Sequence, residues 1–174
     1  MNKKQLWATA LTTPIFALSV LASLTQPSTA SSLNIACNTN ASTPTVIATV
    51  TEDRTAKNIT ILNFLSQYFS PEDAVQNCQK TAKVLQHLYN TNYANYLTND
   101  KLNSQPVVCA VERRGIDCNH DSAQILFTLN PTANSSQALY EMLGSDFKQA
   151  QPPDARTVSR IYSEIKPRKS WWFF

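Results

Sequence analysis

The four cysteines and two histidines of this 174-residue chain are the side chains best suited by their ordinary pKa values to redox, metal or acid–base chemistry near neutral pH. No two cysteines form a Cys-x-x-Cys pair, so the usual arrangement of a thiol oxidoreductase is missing. Eight residues separate Cys109 from Cys118. Zinc knuckles separate their ligands by about two to four residues, so zinc binding with help from His120 is disfavoured. Disulfides are the favoured interpretation, with free or redox-active thiols as the alternative.

The pairing of the four cysteines is open, because three connectivities exist and the sequence alone does not select one. Cys109 and Cys118 are symmetric about a point between Arg113 and Arg114, so a hairpin turning there would place them opposite each other. This preference leaves Cys37 with Cys78. That pair closes the longer loop and should stabilise the fold more, on the order of 3–4 kcal/mol.

The two histidines do not form a recognisable catalytic motif. His87 lies between Gln86 and Leu88, off the apolar face of a predicted helix, and is interpreted as a solvated side chain. His120 precedes Asp121 in a polar loop, where a base oriented by a carboxylate is conceivable but a plain surface loop is favoured. No nucleophile elbow, metalloprotease helix motif or phosphate-binding glycine loop occurs. We therefore predict a non-catalytic protein without cofactor or metal, and a small enzyme with an unrecognised site is the alternative.

The C-terminal residues combine basic and aromatic side chains. After a Pro-containing linker, Val158, Ile161, Tyr162 and Ile165 recur at helical spacing and predict a short helix. Basic side chains are attracted to anionic headgroups and tryptophan favours the membrane boundary, so the tail is predicted to contact a membrane surface or a protein partner. The alternatives are aromatic rings folded back onto the domain and a tail without fixed contacts. The predicted contact residues are Lys166, Arg168, Lys169, Trp171, Trp172, Phe173 and Phe174.

The N-terminal residues predict export. Lys3 and Lys4 precede an apolar stretch over residues 6–24, and the small residues 28–30 then fit a signal peptidase site after Ala30. The alternatives are retention as a membrane anchor and a lipoprotein attached at Cys37. The periplasm, the thylakoid lumen and the extracellular space share such a signal.

Processing would leave 144 residues, the size of one domain. Removal of Lys3 and Lys4 leaves 13 basic and 12 acidic residues, so there is no electrostatic case for nucleic-acid binding. We predict three parts: a signal peptide over residues 1–30, a domain over residues 31–148, and a linker with its tail over residues 149–174.

Local patterns predict a single α+β domain, with a mainly antiparallel sheet packed by one long and one short helix and held by disulfides. Ser70 caps a helix over residues 71–89, whose first turn holds proline and two acids and whose apolar face includes Cys78. A polar turn is expected at Asn99-Asp100, and Gly144 is expected to end a short helix that begins at residues 134–136. Residues 31–44 are expected to be a loose entry. Strands are predicted near residues 45–51, 58–64, 93–98, 106–112 and 124–129.

Several stretches together resemble a known family. They are Ile35-Ala36-Cys37, Asn77-Cys78, Tyr96-Leu97-Thr98, residues 103–109, and Cys118 followed by residues 125–131. These are similar to the circadian oscillating protein family of cyanobacteria over roughly residues 35–143. At two turns of that pattern the chain has Asp100 and Ser104 where glycine is expected. The resemblance implies a cyanobacterial exported protein in which the four cysteines are structural, and it implies no catalytic residue.

Overall fold

The computed structural model describes residues 32–52, 55–148 and 160–165, so the predicted signal peptide, most of the linker and the basic aromatic tail lie outside the described residues. Within that part of the chain, seven strands form two antiparallel sheets, ordered β1-β2-β3 and β6-β5-β4-β7. The predicted disulfide-linked α+β fold is confirmed. The elements are β1 Ser32–Asn38, β2 Thr45–Glu52, β3 Thr55–Asn63, α1 Pro71–Asn90, β4 Tyr96–Leu102, β5 Gln105–Val111, β6 Gln124–Thr128, α2 Ser135–Met142 and β7 Tyr162–Glu164.

The first sheet contains β2 and β3, which lie near the strands predicted at residues 45–51 and 58–64 and pair antiparallel, and in addition a strand that was not predicted. β1 pairs antiparallel with β2, so residues 32–38 are not the loose entry that their Ser and Asn content indicated. Their alternation explains this strand, because Leu33, Ile35 and Cys37 are partly buried while Asn34 and Ala36 between them are exposed. β1 therefore forms one edge of this sheet.

Helix α1 begins where its capping sequence predicts. The Ser70 hydroxyl accepts a hydrogen bond from the Asp73 N–H at 3.2 Å, and Pro71 opens the first turn. Cys78, Ala82 and Leu85 are buried on its apolar face, which contacts β1, β2 and β6. The local sequence therefore predicted correctly both the first residue of this helix and its buried face.

The predicted turn at Asn99-Asp100 is wrong, because β4 continues to Leu102. The chain turns instead at Asn103 and Ser104, which have positive φ angles of 48° and 64°. Ser104 is a position where the resembled family suggested glycine, and its left-handed conformation is the physical reason for that preference.

The predicted helix around residues 158–165 is also wrong over the residues that are described. Tyr162–Glu164 forms strand β7, which pairs antiparallel with β4, and Val158 lies outside the described residues. The reason is a set of partners on β4. Asn99 Oδ1 accepts the Ile161 N–H at 2.9 Å, and the Thr98 hydroxyl donates to the Ile161 carbonyl at 2.7 Å. These long-range hydrogen bonds hold the segment extended.

The core lies where the two sheets meet α1 and α2. Phe64, Phe69 and Phe127 form its aromatic centre, with ring centroids 5.2 to 5.7 Å apart. A smaller buried cluster, which includes Cys109, Cys118 and Ile116, packs separately on residues of β5. The domain therefore has a substantial core, and the disulfides supplement it.

Candidate functional site

Both preferred disulfides are present. Cys37 pairs with Cys78 at a Cα distance of 5.6 Å, and Cys109 pairs with Cys118 at 5.7 Å. The hairpin geometry used to predict the second pair is wrong, since Cys109 faces Ile125 of β6 and Cys118 lies in the loop between β5 and β6. The four cysteines are thus structural, and no thiol among them is free for redox or metal chemistry.

The histidines are not assembled into an acid–base pair. His120 Nδ1 lies 2.8 Å from Ser122 Oγ and accepts the Ser122 N–H at 3.1 Å, so its ring is held by its own turn and not by Asp121. His87 is exposed in the last turn of α1. Among residues 32–52, 55–148 and 160–165, no group of three or more His, Cys, Asp or Glu side chains could hold a metal ion.

A hydrogen-bonded cluster around the Glu141 carboxylate, which the sequence did not indicate, joins α2 to the segment before α1. Glu141 accepts hydrogen bonds from the Tyr68 hydroxyl at 2.6 Å and from the side-chain amides of Gln67 and Gln137, each at 2.5 Å. The Tyr68 hydrogen bond is the main cause of a lowered pKa at Glu141. Burial, followed by the same hydrogen bond, raises the pKa of Tyr68 to about 12. Three donors therefore engage this carboxylate, and it acts as a structural tie between segments far apart in sequence.

Asp100 and Arg160 fix the start of the C-terminal segment. Their side chains are 3.0 Å apart, and the Asp100 side chain is only 17% exposed. Burial on its own would raise the pKa of Asp100, but hydrogen bonds from the Lys101 N–H, the Arg160 guanidinium and the Cys118 N–H outweigh it, and the pKa is lowered. This carboxylate thereby links β4, the disulfide loop and the residues that lead into β7.

Ile165, the last described residue, lies beside an apolar surface that includes exposed tyrosines. The Ile165 N–H donates to the Asn95 carbonyl at 2.8 Å, which fixes the last described residue against the loop before β4. The Ile165 side chain lines a narrow apolar slot with Ile35, Ile61, Leu85, Tyr89 and Ala94. Tyr89 and Tyr93, which are 39% and 42% exposed, are the large hydrophobic residues exposed in the described part of the chain. We call Tyr89, Tyr93 and Ile165 the exit surface.

A protein-family model described as "Circadian oscillating protein COP23" matches residues 35–168. The chain belongs to this family. The resemblance stated from the sequence is therefore confirmed, and the match extends beyond residue 143 to include Arg160 and all of β7. No curated protein and no solved structure matches the chain.

The family match covers both disulfides, the contact between Asp100 and Arg160, and all three residues of the exit surface. In the described residues of this family member, no helix has the length and apolar character needed to cross a bilayer.

Replacement of Asp100 by asparagine in this family member is expected to lower the free energy of unfolding by about 1–2 kcal/mol at pH 7, because a charge-assisted set of hydrogen bonds is lost. The pKa of Asp100 is lower in the folded state than in the unfolded state. Its carboxylate therefore stabilises the fold above about pH 4, and this stabilisation is lost as the pH falls through the lower folded-state pKa.

Urea denaturation of wild type and Asp100→Asn across the acid range measures this effect, with the exposed Asp121→Asn as the matched control. The difference between wild type and Asp100→Asn should shrink in acid. A difference that stays constant down to the lowest pH would show that the charge of Asp100 is not the stabilising feature.

Proposed function

We propose that this protein is an exported, non-catalytic module that attaches peripherally to an anionic membrane surface through its C-terminal tail. Export is supported by the signal-like N-terminal sequence and by two disulfides, since disulfides persist mainly in oxidising compartments. The Ser122 hydroxyl lies within hydrogen-bond distance of His120 Nδ1, but Nδ1 also accepts the Ser122 N–H of the same exposed turn, and we interpret the pair as a local turn contact without a catalytic role.

The observation that carries this proposal is the position of the exit surface. In sequence, the basic aromatic tail begins directly after Ile165, whose side chain lines the slot with Tyr89 and Ala94, and the exposed Tyr93 directly precedes Ala94. Tyrosine has an apolar ring and a polar hydroxyl, which suits the boundary between lipid and water. We infer that a membrane surface contacted by residues after Ile165 can also contact these tyrosines.

The charges of the tail set the expected strength of the attachment. Each basic residue near an anionic surface contributes about 1 kcal/mol, so Lys166, Arg168 and Lys169 together contribute about 3 kcal/mol at low salt. That corresponds to about a hundredfold in the partition coefficient. Tryptophan and phenylalanine add an apolar contribution that salt does not screen.

Sedimentation with lipid vesicles tests this attachment. The full chain is expected to bind phosphatidylglycerol-containing vesicles, and a chain truncated after Ile165 is expected to lose more than about a hundredfold in partition, because it loses both the basic and the aromatic residues. Replacing the three basic tail residues by glutamine should remove the salt-sensitive part only. The matched control neutralises three exposed basic residues of the domain, Lys80, Lys101 and Arg113, and is expected to bind like wild type.

Fractionation of the native protein, with high-salt and alkaline washes, distinguishes binding to lipid from binding to a membrane protein and from no attachment at all. If the full chain sediments with native membranes but not with protein-free vesicles, the tail binds a membrane protein and not lipid. If the full chain and the truncated chain both stay in the supernatant, the attachment proposal is wrong.

A further inference from the structure

A groove lies between the edge of the first sheet and helix α1, and it is independent of the proposed tail attachment. Among the described residues, β1 pairs with β2 on one side and with no strand on the other, and the Cys37–Cys78 disulfide holds it against α1. The groove has a volume of about 380 Å³. Its lining residues are Ile35, Ala36 and Cys37 from β1 and Gln79, Ala82, Lys83 and Gln86 from α1.

The backbone at this edge is directed into the groove. The Ile35 N–H donates to Gln86 Oε1 at 2.5 Å, so it points away from β2. Since backbone groups of an antiparallel strand alternate in direction, those of Leu33 and Cys37 face the same edge. Gln86 is held in place by a hydrogen bond from its Nε2 to Asn90 Oδ1 at 2.9 Å. The side-chain carbonyl oxygen of Gln86 thus occupies the position that a backbone carbonyl oxygen of a further strand would take.

The positive charge at the groove favours extended ligands with acidic side chains over ligands with basic ones. Among the described residues that line it, Lys83 alone is charged, and it is exposed. β1 contains no charged residue, and α1 from Ala74 onward contains Lys80 and Lys83 but no carboxylate. This surface is therefore complementary to acidic side chains and repels basic ones.

We propose that this groove binds an extended segment of another protein that carries aspartate or glutamate side chains, and that the segment adds to β1 as a further strand. Strand addition supplies affinity through the backbone groups of Leu33, Ile35 and Cys37, while alternate side chains of the ligand reach α1 and Lys83. Gln86 swings aside and releases the Ile35 N–H. The chain's own tail is disfavoured as occupant because Lys166, Arg168 and Lys169 would approach Lys83.

Titration of the ¹⁵N-labelled, disulfide-bonded protein with a blocked peptide of alternating valine and glutamate tests the site. The amide signals of Leu33, Ile35 and Cys37 are expected to shift, and the same peptide with lysine for glutamate is expected to bind about tenfold more weakly. Lys83→Glu should reverse this preference. Lys80→Glu, which changes the same charge on the same helix outside the lining, should alter affinity by less than about threefold.

Gln86→Ala separates ligand binding from simple protection of the edge. Removal of the internal acceptor should speed hydrogen exchange at the Ile35 amide and strengthen binding of the acidic peptide by about threefold. If exchange accelerates and neither peptide shifts the β1 amides, Gln86 only shields the edge and the proposal fails. It also fails if truncation after Ile165, or dilution of a self-associated form, changes those amides without any peptide, since the tail or a second copy would then be the occupant.

Discussion

Gly144→Ala is expected to be among the most destabilising single substitutions in this protein, at about 3 kcal/mol or more. A Cβ at this position would lie 1.9 Å from the Thr60 carbonyl oxygen and 2.7 Å from the Thr60 carbonyl carbon. Both atoms belong to the backbone of β3, so no side-chain rotation can relieve the overlap. The Gly144 N–H also donates to the Ile61 carbonyl at 2.9 Å, which joins the end of α2 to the first sheet.

The second glycine of the chain provides a matched control. Gly115 has a φ of 91°, but a Cβ there would have no atom within 4 Å. Gly115→Ala is therefore expected to cost about 1 kcal/mol, from backbone strain alone. Urea denaturation of both variants measures the difference, and hydrogen exchange at the residue-144 amide, which donates to the Ile61 carbonyl, reports whether α2 separates from β3. Equal destabilisation by the two substitutions would contradict the close approach of Gly144 to Thr60.

Gly144 also shows how a correct local signal can carry a wrong explanation. The sequence predicts that this glycine ends α2, and α2 does end at Met142. A glycine at the end of a helix usually adopts a left-handed conformation. The φ of Gly144 is −62°, however, which any residue can adopt. Glycine is required by the neighbouring strand, about eighty residues earlier in the sequence, and no local pattern contains that information.

The elements that the sequence predicted well are those whose determinants are local. Ser70, Pro71 and the acids after them specify the start of α1 through hydrogen bonds and charges within one turn. The hairpin of β2 and β3 follows from β-branched residues on both sides of a short polar turn. In these segments, interactions among residues close in sequence are enough to favour the observed helix or strand over other local structures.

The elements that were missed depend on partners far away in the chain. The local sequence around Asn99 and Asp100 predicts a turn. Both residues lie in β4 instead, because Asn99 accepts a hydrogen bond from the Ile161 N–H and Asp100 forms an ion pair with Arg160. The spacing around Ile161 reads locally as a helix, yet the edge of β4 holds it extended. The conformation of each segment depends on hydrogen bonds to the other, and neither segment's own sequence contains that information.

The candidate sites divide in the same way. The cysteine pairs were predicted because few connectivities exist, although Cys118 does not lie on the strand expected for it. The groove along β1 was not predicted, since it depends on the approach of Gln86 to Ile35 across fifty-one positions. A lone glutamine in a helix carries no sequence signal for such a contact.

Removal of the Cys37–Cys78 disulfide by double substitution with alanine is expected to lower the free energy of unfolding by about 4 kcal/mol. The two cysteines are 41 positions apart, so their bond removes much of the freedom of the unfolded chain. The same bond holds β1 against α1, because Cys78 is fully buried on the helix. Its loss should therefore also speed hydrogen exchange at the Ile35 amide, which bonds to Gln86 about two turns along α1 from Cys78.

The double substitution of Cys109 and Cys118 is the matched control, since it removes a disulfide that closes a separation of only 9 positions. Loop entropy assigns this bond about 3 kcal/mol, about 1 kcal/mol less than the longer one. Exchange at Ile35 should stay unchanged, because Cys109 and Cys118 pack in the separate small cluster on β5. A larger loss of stability from the shorter loop would show that packing within that cluster outweighs chain entropy. Unchanged exchange at Ile35 without Cys37–Cys78 would show that α1 and β1 remain together through packing alone, and the groove would then not depend on the disulfide.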